Sequence, residues 1–169
     1  MRIAVVSDIH DHIHNLRAVL ERLGEADLLL CPGDLCAPFM VDELADGFDG
    51  PVHVVFGNND GDTHRITRAA DGRESVTLHG EFGRLAPEEA GGARVAVHHF
   101  PEVGRSLADG ERFDLVCFGH SHEWEVGREG DTLYVNPGEV MGRLGPATAA
   151  IVDTGAGEVE RVEVEGVPA

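Results

Sequence analysis

The sequence predicts an α/β protein made of two mixed β-sheets stacked face to face, with helices outside, in one domain spanning residues 1–169. Three observations carry this reading. The first half alternates short apolar runs with stretches of helical periodicity. The second half is a series of short strand candidates separated by turn residues. Finally, five apolar runs (IAVV, LLLC, VHVVF, VAV and LVCF) are each followed closely by Asp, Asn or His. Such runs mark buried strands, and in open α/β sheets binding sites form beyond the carboxyl ends of the strands.

In chain order, residues 2–7 read as the first strand, followed by the polar loop DIHDHIHN. Leu16, Val19, Leu20 and Leu23 then recur at helical spacing over residues 15–23, and Gly24 stands where a helix-ending glycine belongs. Residues 27–31 form the second strand, 40–45 a short helix, 51–56 the third strand and 63–70 another helix. Beyond these, strands are expected at 76–79, 93–97, 114–118, 123–127, 132–135, 148–152 and 159–164. Turn signals such as Gly91-Gly92 and Gly155-Ala156-Gly157 separate them, and one helix interrupts at about 103–108. Val167, Pro168 and Ala169 read as a loose tail.

The chain is long enough to bury a sizeable core. It carries 31 acidic residues against 13 basic ones, all of them arginine, for a formal charge of -18. Self-repulsion of that size destabilises a compact domain in dilute buffer, whereas in molar salt the screening length falls to ~3 Å. The composition reads as that of a cytoplasmic protein from an extreme halophile. The apolar run at residues 3–6 is shorter than the ~7–15 residues of a signal-peptide core. No run approaches the ~18 residues of a membrane span. Cys31 and Cys117 lie in apolar runs and read as small buried hydrophobes. A Cys31–Cys36 disulfide is disfavoured in the cytosol, and no zinc-ribbon spacing is present. One tryptophan, one tyrosine and no basic stripe argue against nucleic acid as a partner.

Chemistry concentrates in the residues that follow the five runs. Asp8 and His10 are two apart, a spacing that in an extended segment turns both side chains the same way. Asp34 follows Gly33, which allows a sharp turn at a strand end. Asn58 opens the NND turn and offers a neutral amide oxygen. His98 and His99 end a strand, so only one of them faces any given site. His120 and His122 repeat the two-apart spacing. Taken singly, each motif is an ordinary turn sequence; their coincidence at five strand ends points to a metal site. Carboxylates, an amide and imidazoles without thiolates suit Mn, Fe, Co, Ni or Zn better than magnesium or calcium alone. Other polar residues read more plainly: His12 and His14 as solvated loop, His53 as a satisfied core histidine, Asp60 as a residue behind the ligands or in a turn, and Arg143 as a phosphate contact or a surface ion-pair partner.

The ordered set DxH, GD, GNxD, H and GHxH resembles that of the calcineurin-like metallophosphoesterase family. The size, the SDIHD start and the NPGE segment at 136–139 are most similar to its small single-domain phosphodiesterases of bacteria and archaea. The resemblance implies a four-layer α/β/β/α sandwich of two mixed β-sheets flanked by helices. It implies two divalent ions, manganese first, with Ni, Fe, Co or Zn also fitting. Asp8, His10, Asp34 and His122 would hold one ion; Asp34, Asn58, His98 and His120 would hold the other, with Asp34 bridging. Two-metal chemistry then implies a phosphodiesterase in which a bridging hydroxide attacks the phosphorus of a small-molecule phosphoester. The alternatives are a phosphomonoesterase acting on a small metabolite or nucleotide, and a non-catalytic scaffold like the retromer subunit that shares the fold. Asn59 stands where many larger relatives have histidine; an amide can donate a hydrogen bond to a phosphoryl oxygen but cannot deliver a proton. General-acid help is worth ~10²–10⁴-fold, so poor leaving groups should suffer. His99 is the other candidate for substrate contact, as a substitute proton donor, although alternation along the strand favours its turning away. The natural substrate and the oligomeric state stay open.

Overall fold

The computed structural model describes residues 1–110 and 112–165; the expected loose tail lies outside them. Among the described residues, eleven strands and four helices follow in the order βαβαβαβββαβββββ. One sheet contains β1 (Arg2–Val5), β2 (Leu28–Cys31), β3 (Val52–Val54), β4 (Val76–Leu78), β10 (Ala147–Asp153) and β11 (Glu158–Val164). The other contains β5 (Phe82–Leu85), β6 (Val95–His98), β7 (Leu115–Cys117), β8 (Trp124–Glu129) and β9 (Thr132–Pro137).

The first sheet runs β11-β10-β1-β2-β3-β4 and the second β5-β6-β7-β9-β8. Both are mixed: β1 to β4 are mutually parallel, while β10 lies antiparallel to β1 in the register Ile3 to Val152. In the second sheet β6, β7 and β9 are parallel, and antiparallel β5 and β8 form its edges. The inner faces meet over a core that includes Ile3, Val5, Leu28, Leu30, Val95, Val97, Leu115, Cys117 and Val135. Residues of the opposite parity, such as Ala4, Val6, Leu29 and Cys31, pack outward against α1 (Ile13–Leu20), α2 (Phe39–Gly47) and α3 (Thr63–Asp71). On the far side Ala96, Val116 and Phe118 pack with Ala108 of α4 (Pro101–Asp109). The result is the four-layer α/β/β/α sandwich that the resemblance implies.

Local differences have identifiable causes. The helix expected over 15–23 begins two residues earlier, because His12 caps α1: its Nδ1 accepts the Asn15 N–H at 3.2 Å. The α-helix stops at Leu20, and the chain continues in tighter turns from Arg22 to Val19 and from Leu23 to Leu20. Leu23 stays buried and Gly24 takes a left-handed φ of 59°. Strand β5 has no counterpart among the expected elements. Its sequence, FGRL, is a four-residue edge strand with one glycine and one charge, too short for periodicity to register. Asp62 caps α3 and Pro101 opens α4. No helix among the described residues is long and apolar enough to cross a membrane.

Candidate metal centre

Parallel pairing brings the carboxyl ends of β1, β2, β3, β6 and β7 to one rim of the sandwich, where the chain leaves each strand in a short loop. The loops are laced together by backbone bonds: Ile9 and His10 N–H both donate to the Asp34 carbonyl, at 3.0 and 3.1 Å, and Gly119 N–H donates to the His99 carbonyl at 3.0 Å. Asp60, 7% exposed, fastens the second and third loops by accepting N–H bonds from Asp34, Cys36 and Gly57 at 3.1, 2.8 and 2.7 Å. The close approach needs glycines. A Cβ at Gly119 would stand 2.0 Å from Ser7 Oγ and 2.6 Å from Asp8 Oδ2, and one at Gly57 would stand 2.2 Å from Asp34 Oδ1.

The two-apart spacing works differently from the extended segment expected. Asp8, His10, His120 and His122 have φ of 54°, 46°, 70° and 60°, so neither DIH nor GHSH is extended. Left-handed residues at each end of the tripeptide, with Ile9 buried in the first case, bring the polar side chains round to one side. Asp34 is left-handed too, at 57°.

Two groups of donor atoms result. In the first, His122 Nε2 lies 3.3 Å from both Asp8 Oδ1 and His10 Nε2, and His10 Nε2 lies 3.5 Å from Asp34 Oδ2. In the second, Asn58 Oδ1 lies 2.9 Å from His99 Nε2 and 2.8 Å from His120 Nδ1, and His99 Nε2 lies 3.5 Å from Asp34 Oδ2. Asp34 Oδ2 is common to both. The ligand atoms of Asp8, His10 and His122, and those of Asp8, Asp34 and His99, fall within 4.8 Å of one another.

His98 does not lie in this cluster, whereas His99, expected to turn away, does. Val95 and Val97 face the inter-sheet core and Ala96 faces α4, so parity carries residue 99 inward and residue 98 outward. The His98 ring instead accepts the Phe100 N–H at 3.0 Å, whereas His99 is fully buried. The signal was present in VAVHH: the bulky valines mark the inner face, and the second histidine shares their parity. Asn59 is also placed differently from expectation. Its amide donates to Asp34 Oδ2 at 2.7 Å and its backbone N–H to Asp34 Oδ1 at 2.8 Å, so in this structure it orients a carboxylate.

The residues fit a cation on their own evidence. Among the described residues Asp8 Oδ1 is buried without a hydrogen-bond partner, an orphaned oxygen of the kind a metal ion satisfies. Burial pushes the Asp8 carboxyl above its ordinary range, against the pull of His99 and His122. His99 Nδ1 lies 2.7 Å from the Pro32 carbonyl, which can only accept; the ring proton therefore sits on Nδ1 and Nε2 offers a lone pair to the cluster. Burial pushes the Cys36 thiol up to about 12, so it stands beside His10 Nδ1, at 3.4 Å, as a thiol and not a thiolate. Glu139, to which the sequence reading gave no role, is buried behind His122, with Oε2 2.5 Å from Nδ1. Nothing in the NPGE segment by itself reveals which imidazole its glutamate meets.

Residues 1–157 match the family model of the calcineurin-like phosphoesterase superfamily domain. Phosphodiesterase MJ0936 of Methanocaldococcus jannaschii is 26% identical over 168 residues, covering 98% of this chain and all of that protein. The structure of an archaeal phosphodiesterase superposes with a TM-score of 0.86 at 26% identity, covering 97% of this chain and 100% of its own. Vacuolar protein sorting 29 of Cryptosporidium parvum shares the fold, with a TM-score of 0.66 at 17% identity over 98% of both chains. A match along nearly the whole chain, ending in donors gathered on one rim, leaves one conclusion: the chain belongs to the calcineurin-like phosphoesterase superfamily, a family of metal-dependent phosphoester hydrolases.

Proposed function

We propose that the protein is a dinuclear metal-dependent phosphodiesterase. Asp8, His10, Asp34 and His122 hold one divalent cation; Asp34, Asn58, His99 and His120 hold the other. The observation that carries this reading is the position of Asp34 Oδ2, 3.5 Å from both His10 Nε2 and His99 Nε2, so that one carboxylate oxygen serves both groups. The mixed oxygen and nitrogen donors suit manganese first, with nickel, iron, cobalt or zinc also compatible. Two such ions supply Lewis acidity and lower the pKa of water at the site. Set against two carboxylates, they leave a net positive charge that draws an anionic phosphoester to an otherwise acidic protein.

The chain's own part is to position and to exclude. His99 keeps its proton on the Pro32 side, Asn59 orients Asp34, and Asp60 fixes the loops that carry Asp34 and Asn58. None of these delivers a proton to a departing oxygen: the Asn59 amide cannot, and buried His99 holds its ring proton against the Pro32 carbonyl. A site without a strong general acid favours esters whose leaving group departs easily. That supports diesters over monoesters, in keeping with the archaeal phosphodiesterase relative. We place the protein in the cytoplasm of a salt-rich cell, on the strength of its acidity and its arginine-only cations.

The test compares hydrolysis of bis(p-nitrophenyl) phosphate and p-nitrophenyl phosphate in molar KCl with manganese, for wild type and Asp34→Ala. Metal-dependent diester turnover lost in the variant is the expected result. Faster monoester turnover would convert the reading to a phosphatase. A folded, metal-loaded wild type inert on both would move it to a binding scaffold.

A further inference from the structure

We propose that Glu139 is a positioning residue that holds the ring proton of His122 on Nδ1, aims Nε2 at the Asp8 and His10 donors, and makes that half the tighter of the two ion sites. The inference rests on the two-ion reading above. Glu139 is 2% exposed, and both carboxylate oxygens are engaged: Oε2 with His122 Nδ1 at 2.5 Å, and Oε1 with the Leu144 N–H. The Leu144 N–H donates to Oε1, and a carboxylate can only accept, so Oε2 takes the Nδ1 proton of His122 and leaves a lone pair on Nε2.

The backbone that carries this carboxylate is itself tied down. The Glu139 carbonyl accepts the Thr148 N–H at 2.8 Å, and the next two N–H groups, Val140 and Met141, donate to the Ser7 and Asp8 carbonyls at 3.0 Å each. The same loop therefore fixes the backbone of Asp8 and the ring of His122, two donors of the first group.

Two of the other imidazoles are backed by weaker partners: His99 by a neutral carbonyl at 2.7 Å, and His10 by the Cys36 sulfur at 3.4 Å. Among the described residues only His122 has a carboxylate on the nitrogen turned away from the cluster. A charge-assisted bond is roughly twice as strong as a neutral one, and loss of such an outer partner lowers metal affinity ~10–100-fold. The effect should fall on one ion and spare the other.

Metal-free full-length protein would be titrated with manganese chloride by calorimetry in molar KCl, wild type against Glu139→Gln. A glutamine has one acceptor oxygen for two donors, so it sets its amide NH₂ against either the His122 ring or the Leu144 N–H. The expected result is two ions bound by wild type, with one of the two weakened ~10–100-fold in the variant and the other unchanged. If wild type binds fewer than two ions, the dinuclear reading itself falls. If wild type binds two and Glu139→Gln binds both as tightly, the Glu139 inference alone is overturned. A second measurement needs no variant: ¹⁵N NMR of the histidine rings in zinc-loaded wild type should show the His122 proton on Nδ1. A proton on Nε2 would overturn the inference.

Discussion

At the residue scale the centre is built from strained backbone. Asp8, His10, Asp34, His120 and His122 all have φ between 46° and 70°, a region that costs an L-residue roughly 1–2 kcal/mol each and that Asp and His visit more readily than most. Strain of that kind persists only where the surroundings over-determine it, here through the backbone bonds that lace the loops together. The pattern DxH and GHxH is legible in sequence because it is short and ordered; the αL turns that make it work are not. The choice between His98 and His99 was a question of parity, and it has a direct test. His99→Ala should reduce manganese affinity and diester hydrolysis by at least the ~10–100-fold that even outer partners of a metal ligand are worth. His98→Ala should leave the ion stoichiometry unchanged. Calorimetric titration of both variants checks this, and the reverse outcome would return His98 to the site.

At the element scale, β3 and the residue that follows β4 carry a half-buried histidine pair apart from the candidate metal donors. His53 lies within β3 and His79 follows β4, with Nδ1 and Nε2 2.9 Å apart and the rings stacked. The expectation of a satisfied core histidine is met, with another histidine as the partner. Burial lowers the pKa of both rings; His79 adds to the effect on His53, and Glu89 opposes it on both. A histidine with a lowered folded pKa stays neutral in the fold while the unfolded chain takes up a proton. Stability is therefore full above the unfolded value of about 6.5 and falls as pH drops below it, by at most about 1.4 kcal/mol per pH unit for each such group. Thermal melts of metal-free protein between pH 8 and 5 should show this loss (about 3 pH units scanned). His79→Gln, which removes one titrating ring, should flatten it; an unchanged slope would show that the pair contributes nothing. Element types were legible wherever apolar residues ran for four or more positions, and β5 was not, because edge strands on a sandwich owe their existence to a neighbour and not to their own periodicity.

At the scale of the whole molecule, charge dominates. A formal charge of -18 rests on a surface whose arginines already pair with carboxylates, such as Arg73 with Asp42 and Asp46, and Arg94 with Asp114. Such exposed pairs are worth about 0–1 kcal/mol each and cannot offset the excess of acid. Salt can, because the screening length shrinks from ~10 Å at 0.1 M to ~3 Å at 1 M. The melting temperature of metal-free protein should rise between ~0.1 and ~1 M KCl, as calorimetry or circular dichroism would show. A fall would mean that attractive pairs outweigh repulsion and would remove the halophilic reading.

Sequence alone determined the fold class, the order of the elements apart from β5, and the five loops that carry the candidate ligands, because apolar runs and the turn residues that end them are local properties of the chain. It also determined the chemistry of the donor set, which depends only on residue types. Tertiary structure decided which of two adjacent histidines enters the centre, which carboxylate oxygen is shared, and that Glu139 stands behind His122. Those are relations between residues up to 112 positions apart, such as His10 and His122, and they are set by how two sheets pack and not by any local pattern.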